Sequence, residues 1–304
     1  MSRKDFYPSD WLVIGYPVFL SLIILFFGRP LAGYLDEIAI NIAIIVLALA
    51  IIHYLHGEQS RTALFFRLLY PSMLFLVFYE QTGGLMRLIF NHFFDYQLTA
   101  FEHSIFGINP TKWLDTNLNN VWVTEVLSLL YFTFYPMIYV YFLTLFFMKK
   151  YHLIKVSITA VCLTFFTSFP LFFLYPIEGP RYHFAGQYMN EITGPIFRPL
   201  VELAQRGAVH GGCMPSTHFG VALVIMIFCL KYFKKAGILL IPVVTGLALG
   251  TFYGRYHYVS DVVVGGLIAL AAVFVTERYL IVDADKDSIA KKNKKKVSYV
   301  SRVI

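Results

Sequence analysis

The sequence predicts an all-α fold, a polytopic membrane helix bundle of about eight transmembrane helices. Three observations carry this. Of 304 residues, 58% are hydrophobic and only 14% are charged, where a soluble domain carries about 25% charged residues. Mean hydropathy is +0.65. The apolar residues are gathered into continuous runs of about twenty, long enough to cross a bilayer, and they do not alternate as barrel strands would. A chain so poor in charge cannot cover its surface with polar groups, so part of its solvent must be lipid.

The runs fall at about 11–27, 38–55, 64–81, 125–147, 155–176, 215–233, 237–253 and 261–281. The first follows "MSRKDFYPSDW", contains Pro17 and has no clear small-residue cleavage site, so it is read as a retained helix and not as a cleaved signal. The third holds Arg67 and Pro71. The segment 83–124 is too polar to span. Its Phe90, Phe93, Phe94, Leu98, Phe101, Ile105 and Phe106 recur at roughly helical spacing, which predicts a helix lying in the interface. That helix either covers the bundle or walls a lipid cavity. His53, His56, Glu80 and His152 read as interfacial. There is no internal repeat, and "DADKDSIAKKNKKK" is the one low-complexity stretch. The organisation expected is an N-terminal pair of helices over 1–63, a core over 64–282 and a basic tail over 283–304.

Dividing the charge by loop orients the chain. With the N-terminus cytoplasmic and eight crossings, the inside holds Arg3, Lys4, Arg61, Arg67, Lys149, Lys150, Lys155, Lys231, Lys234, Lys235 and the basic residues from Arg278 onward. These are eighteen of the 25 Lys and Arg. The outside holds Arg29, Arg87, Lys112, Arg181, Arg198, Arg206 and Arg255. The positive-inside rule therefore predicts cytoplasmic termini, with the tail touching anionic headgroups. An isoelectric point near 9.1 is explained this way. No basic–aromatic module points to nucleic acid. Cys162 and Cys229 lie mid-span and Cys213 in an outside loop. No spacing suggests a zinc site or a disulfide framework.

With this topology three ionisable clusters converge on the outer mouth of the last four spans, where such groups are costly and usually functional. In "GRYHYVSD", His257 and Asp261 are four apart and are expected on one helix face. The carboxylate would take the ring N–H, fix the tautomer and raise the nucleophilicity of the other nitrogen. Arg255, two residues upstream, is placed to meet an anion. In "HGGCMPSTH", Pro215 suits a first helical turn. Gly211 and Gly212 permit close backbone approach, and free N–H groups at the helix start attract anions. Ser216 adds a hydroxyl, and His218 can enter the same cavity as an acid. In "YPIEGPRYH", the Arg181 guanidinium fork suits a phosphate. Each cluster alone also fits a plainer structure: a capped helix beside an ordinary acid, a capped helix with an incidental histidine, or an arginine snorkelling to lipid phosphate.

"PSTH" and "HYVSD", in this order and on these loops, resemble the Pro-Ser-x-His and His-x-x-x-Asp motifs of the type 2 phosphatidic acid phosphatase (PAP2) superfamily. "GRYHYVSDVVVGG" and "FDYQLTAFEHSIFGINPTKWL" resemble most its inositol-phosphorylceramide synthase branch; sphingomyelin synthases are a more distant likeness. The resemblance covers roughly 64–282 as a six-helix core, to which the first two helices are additions. It implies His257 as nucleophile forming a phosphohistidine, Asp261 orienting it, and His218 protonating the leaving group. Arg181, Ser216 and Arg255 would hold the phosphoryl oxygens. It implies no metal and no cofactor, and phospholipid or sphingolipid substrates within the bilayer. Two positions depart from the motifs. Leu174 stands where the superfamily has a lysine seven residues before its arginine, and Thr251 where it has an arginine six before the histidine. These departures favour the synthase-like branch, with Arg255 replacing the second cation. The expected activity is a lipid phosphotransferase that moves a phosphorylated headgroup between lipids. The alternatives are a lipid-phosphate phosphatase acting on phosphatidate-like or polyprenyl-phosphate substrates, and a lipid transporter. A transporter would have no need of both histidines together with Asp261.

Overall fold

The computed structural model describes residues 5–57 and 60–281; Arg3, Lys4 and the basic tail over 283–304 lie outside the described residues. The helices are α1 (Pro8–Phe27), α2 (Leu35–Leu55), α3 (Arg61–Leu85), α4 (Asp95–Phe106), α5 (Pro110–Asn117), α6 (Val121–Phe132) and α7 (Phe134–Phe147), then α8 (Tyr151–Leu174), α9 (Pro180–His183), α10 (Phe197–Gln205), α11 (Thr217–Tyr232), α12 (Lys234–Tyr253) and α13 (Val259–Thr276). Each expected span has its helix. Among the described residues seven are long and apolar enough to cross a membrane, counting α6 and α7 as one span. The remaining expected span, α11, is apolar but has only 16 residues. The chain is an integral membrane protein with an all-α fold.

The α6–α7 span is broken at Thr133. Pro136 has no N–H to return to the Phe132 carbonyl, which loosens the turn. The break presents Tyr131 and Tyr135 near the first turn of α11. Helix α8 is the axis of the bundle and packs against α1, α3, α7, α11 and α13. Its Thr164 and Ser168 return their hydroxyls to carbonyls one turn back, so a buried helix carries polar side chains without orphaned donors. Helices α11 and α13 approach at backbone contact, because a β-carbon on Gly265 would collide with the Ser216 main chain. The Ser216 N–H donates to the Asp261 carbonyl at 2.9 Å, which locks the two helix starts together.

The segment between α3 and α6 is two short helices, not one. Helix α4 stops at Gly107, whose left-handed φ of 68° ends the turn. Helix α5 restarts with Asn109 as cap and Pro110 in its first turn. Both lie at the end of the bundle where α8 finishes and α11 and α13 begin.

Candidate active site

His257 and Asp261 do meet, though not on a shared helix face. Helix α13 begins at Val259 with Tyr258 as its cap, so His257 sits in the loop before it. Asp261, at the third helical position, turns its Oδ2 back to the Tyr258 N–H at 2.7 Å. The same oxygen faces His257 Nδ1 at 3.4 Å and accepts from Cys213 Sγ at 2.9 Å. The His257 backbone N–H donates to the Thr251 carbonyl at 3.1 Å. With Nδ1 turned to the carboxylate, Nε2 is the nitrogen left for chemistry. Burial pushes the Cys213 thiol well above its ordinary pKa, and the neighbouring Asp261 charge adds to it, so Cys213 is a proton donor here and not a thiolate.

His218 lies in the first turn of α11, and its ring centroid is 5.7 Å from that of His257. Its Nε2 is 3.2 Å from the Tyr131 hydroxyl, which accepts from Gln205 Nε2 at 2.6 Å. The two histidines open on one cavity of about 50 Å³, whose wall also includes Arg181, Tyr131, Gln205 and Tyr256. A buried water needs roughly 10–15 Å³ of such free space, so the cavity suits a phosphoryl-sized group and not a whole lipid. Arg181 is exposed and pairs with no carboxylate among the described residues; its guanidinium lies 5.7 Å from the Tyr182 ring. An apolar cavity of about 420 Å³ between α3, α7 and α8 adjoins the small one, sharing Tyr79, Gln205, Ala208 and His218. Glu80, read from sequence as interfacial, stands on its wall.

Two expected phosphate ligands lie elsewhere. Ser216 is the cap of α11 and fully buried. Its hydroxyl faces the Phe219 N–H at 3.5 Å, and it is not on the cavity wall. Pro215 precedes that cap and so falls outside the helix. Arg255, in a left-handed conformation with φ 68°, is directed away from the cavity. Its Nη2 donates to Asp115 Oδ1 at 2.7 Å and to the Asn190 carbonyl at 2.6 Å, with the Tyr188 ring 3.7 Å below the guanidinium. Burial lowers its pKa, and Asp115 opposes that shift. The second cation next to the cavity wall is instead Arg198, which donates to the Tyr256 hydroxyl at 2.7 Å. Burial pushes that phenol up to about 12, against the pull of Arg198 and Arg181.

The family model of the PAP2 superfamily matches residues 96–275, more than half of the chain. The chain belongs to the PAP2 superfamily. No curated protein and no solved structure gives a significant match. Members of the superfamily are generally phosphatases or phosphotransferases, and the match contains Arg181, Ser216, His218, Arg255, His257 and Asp261.

Around this PAP2 site the structure reveals a set of carboxylates that the motifs do not announce. Asp95 accepts from the Glu178 and Gly179 N–H groups at 2.8 and 2.9 Å and from the Tyr258 hydroxyl at 2.9 Å. Glu102 accepts from the Ser260 N–H and hydroxyl at 2.7 and 2.9 Å. Burial raises the Glu102 pKa, and the two Ser260 bonds pull it back. Asp115 takes the Met189 N–H at 2.7 Å besides Arg255. Glu125 takes the Phe197 and Arg198 N–H groups at the start of α10. Through Asp95, Glu102 and Asp115 the 83–124 segment therefore clasps the first and third motif loops, and none of its residues lines the small cavity. One signal was available: Asp95 and Glu102 are seven apart and share a helix face. The sequence also suggested no metal ligands, yet donor atoms of Cys213, His257 and Asp261 lie within 4.8 Å of one another. That proximity spans 48 residues, so no local spacing could show it.

Proposed function

We propose that this PAP2 protein is a metal-independent lipid phosphotransferase working through a phosphohistidine, of the inositol-phosphorylceramide-synthase type. One observation carries the proposal: the paired histidines share a phosphoryl-sized cavity that adjoins a larger apolar one on its His218 side. His257 Nε2 donates its lone pair to phosphorus. A P–N bond forms as the bond to the departing lipid oxygen breaks, and His218 gives that oxygen a proton. In the second half the acceptor hydroxyl yields its proton to His218, its oxygen attacks phosphorus, and the P–N bond breaks. Asp261 stabilises the cationic ring between the steps, and Arg181 neutralises the equatorial oxygens.

The departing lipid's chain fits the apolar cavity beside His218. Transfer to a lipid hydroxyl is favoured over transfer to water by that apolar cavity beside His218. It is also favoured by the joining of the two branch-like sequence blocks: Asp95 with Tyr258 and Glu102 with Ser260. The site faces away from the cytoplasm in this proposal. Supporting that sidedness, Arg61, Lys149, Lys150, Lys155, Lys231, Lys234 and Lys235 all fall at the opposite helix ends. The test is to incubate purified protein with headgroup-labelled phospholipid and a sphingolipid-type acceptor. Label in a second lipid is the expected result; label released only as a water-soluble phosphorylated headgroup makes the enzyme a hydrolase.

A further inference from the structure

Beside the cavity three different donors converge. Cys213 Sγ lies 3.7 Å from His257 Nδ1 and 2.9 Å from Asp261 Oδ2, and His257 Nδ1 lies 3.4 Å from the same oxygen. Tetrahedral zinc holds sulfur at about 2.3 Å and nitrogen and carboxylate oxygen at about 2.0–2.2 Å. At tetrahedral angles these radii put sulfur and nitrogen about 3.5 Å apart, nitrogen and oxygen about 3.4 Å, and sulfur and oxygen about 3.6 Å. Two of the observed edges match to within about 0.2 Å. The third is short because the thiol proton bridges it, and that proton leaves when a metal binds.

A second observation points the same way. Asp261 Oδ1, the other oxygen of the carboxylate whose Oδ2 meets Cys213 and His257, is buried with no hydrogen-bond partner among the described residues, and a cation bound to this carboxylate would offset the cost of burying its charge. Cys213 and His257 both reach the cavity wall, so an ion has a route to them. A sulfur–nitrogen–oxygen set favours zinc-like ions over magnesium or calcium, which prefer oxygen alone.

We propose that Cys213, His257 and Asp261 form an inhibitory site for borderline-soft divalent cations of the zinc type. Binding forms metal–sulfur, metal–nitrogen and metal–oxygen bonds, releases the Cys213 proton to solvent and involves no redox step. A neutral imidazole carries one proton. A metal on Nδ1 places that proton on Nε2, where it occupies the lone pair needed for attack. The inhibition rests on the phosphotransfer reading above; the binding does not.

The test uses the full-length protein and cobalt(II) as a spectroscopic substitute for zinc. Wild type should bind one equivalent with a thiolate-to-cobalt charge-transfer band in the near ultraviolet, bleached by zinc. The band should vanish in Cys213→Ser and persist in Cys162→Ala. Zinc should inhibit wild-type turnover. Cys213→Ala, referred to its own metal-free rate, should need at least about tenfold more zinc. Cobalt bound to wild type without the band, or equal zinc sensitivity in wild type and Cys213→Ala, would overturn the proposal. The wild-type spectrum requires no variant to fold. It also reads the site even if the protein transfers no phosphoryl group, so failure of the metal site and failure of the proposed function are separable.

Discussion

The same local motif begins two helices at opposite ends of the bundle. "YPSD" opens α1 and "YVSD" opens α13, and in each the aspartate reaches back to the tyrosine N–H, at 2.6 Å for Asp10 and 2.7 Å for Asp261. Beyond that bond the two part. Asp10 receives both Arg67 Nη groups, at 2.9 and 2.5 Å, and the Tyr70 hydroxyl at 2.7 Å, so a full cation neutralises it. Asp261 meets an imidazole at 3.4 Å and a thiol, and one of its oxygens has no donor. A closed ion pair fixes structure. A carboxylate whose only basic neighbour is a titratable ring can change that ring's charge and tautomer. Local sequence supplies the cap, and the partner from elsewhere in the chain decides between scaffold and chemistry.

Equivalent substitutions should separate the two. Asp261→Asn gives His257 an amide in place of a charge. Phosphorylation should fall by about 10³–10⁴-fold, the loss typical when the carboxylate orienting a catalytic histidine becomes an amide, with little change in thermal unfolding. Asp10→Asn leaves Arg67 buried without its counter-charge. It should cost about 3–5 kcal/mol of stability while the rate per folded molecule holds. Thermal unfolding and turnover measured on both variants check this, and equal effects on rate would break the comparison.

The next largest effect separates the two histidines. His218→Ala should lose about 10²–10⁴-fold on a lipid, the usual range for a general acid. It should lose far less on an aryl phosphate, whose oxygen leaves without a proton. Equal losses on both substrates would remove His218 from the acid role. Smaller still is Tyr131→Phe, which takes from His218 a hydroxyl that Gln205 holds in place. One hydrogen bond is worth about 0.5–1.5 kcal/mol, so lipid turnover should drop roughly 2- to 10-fold with aryl phosphate turnover nearly unchanged. Smallest is chelation. EDTA should not lower the rate; loss restored by magnesium would contradict the cation-and-histidine scheme.

The spans were legible because uninterrupted apolar runs of that length favour crossing a bilayer, and the family because the motif blocks occur together and in order, although each cluster alone fits a plainer structure. What escaped was set by direction and distance. His257 and Asp261 were expected on a helix face, but the helix starts after His257 and the contact is made through the capping turn. Arg255 is two residues from His257, yet its left-handed backbone directs the guanidinium to Asp115 and Asn190. Separation along the chain carries no information on heading. Cys213, Asp95 and Glu102 find their partners 48, 163 and 158 residues away, and although Asp95 and Glu102 share a helix face, nothing local names those partners. The break at Thr133 is legible in hindsight from Pro136.

In the proposed reaction the carboxylate-oriented histidine, and not the other, carries the phosphoryl group. The most direct measurement is rapid quenching during turnover, followed by mapping of acid-labile phosphate to a peptide. The account predicts phosphate on His257, retained at reduced level in His218→Ala with an aryl phosphate and absent in His257→Ala. Phosphate on His218 would invert the roles. None in wild type, under conditions where the second step limits turnover, would contradict the covalent intermediate and leave His257 as a general base.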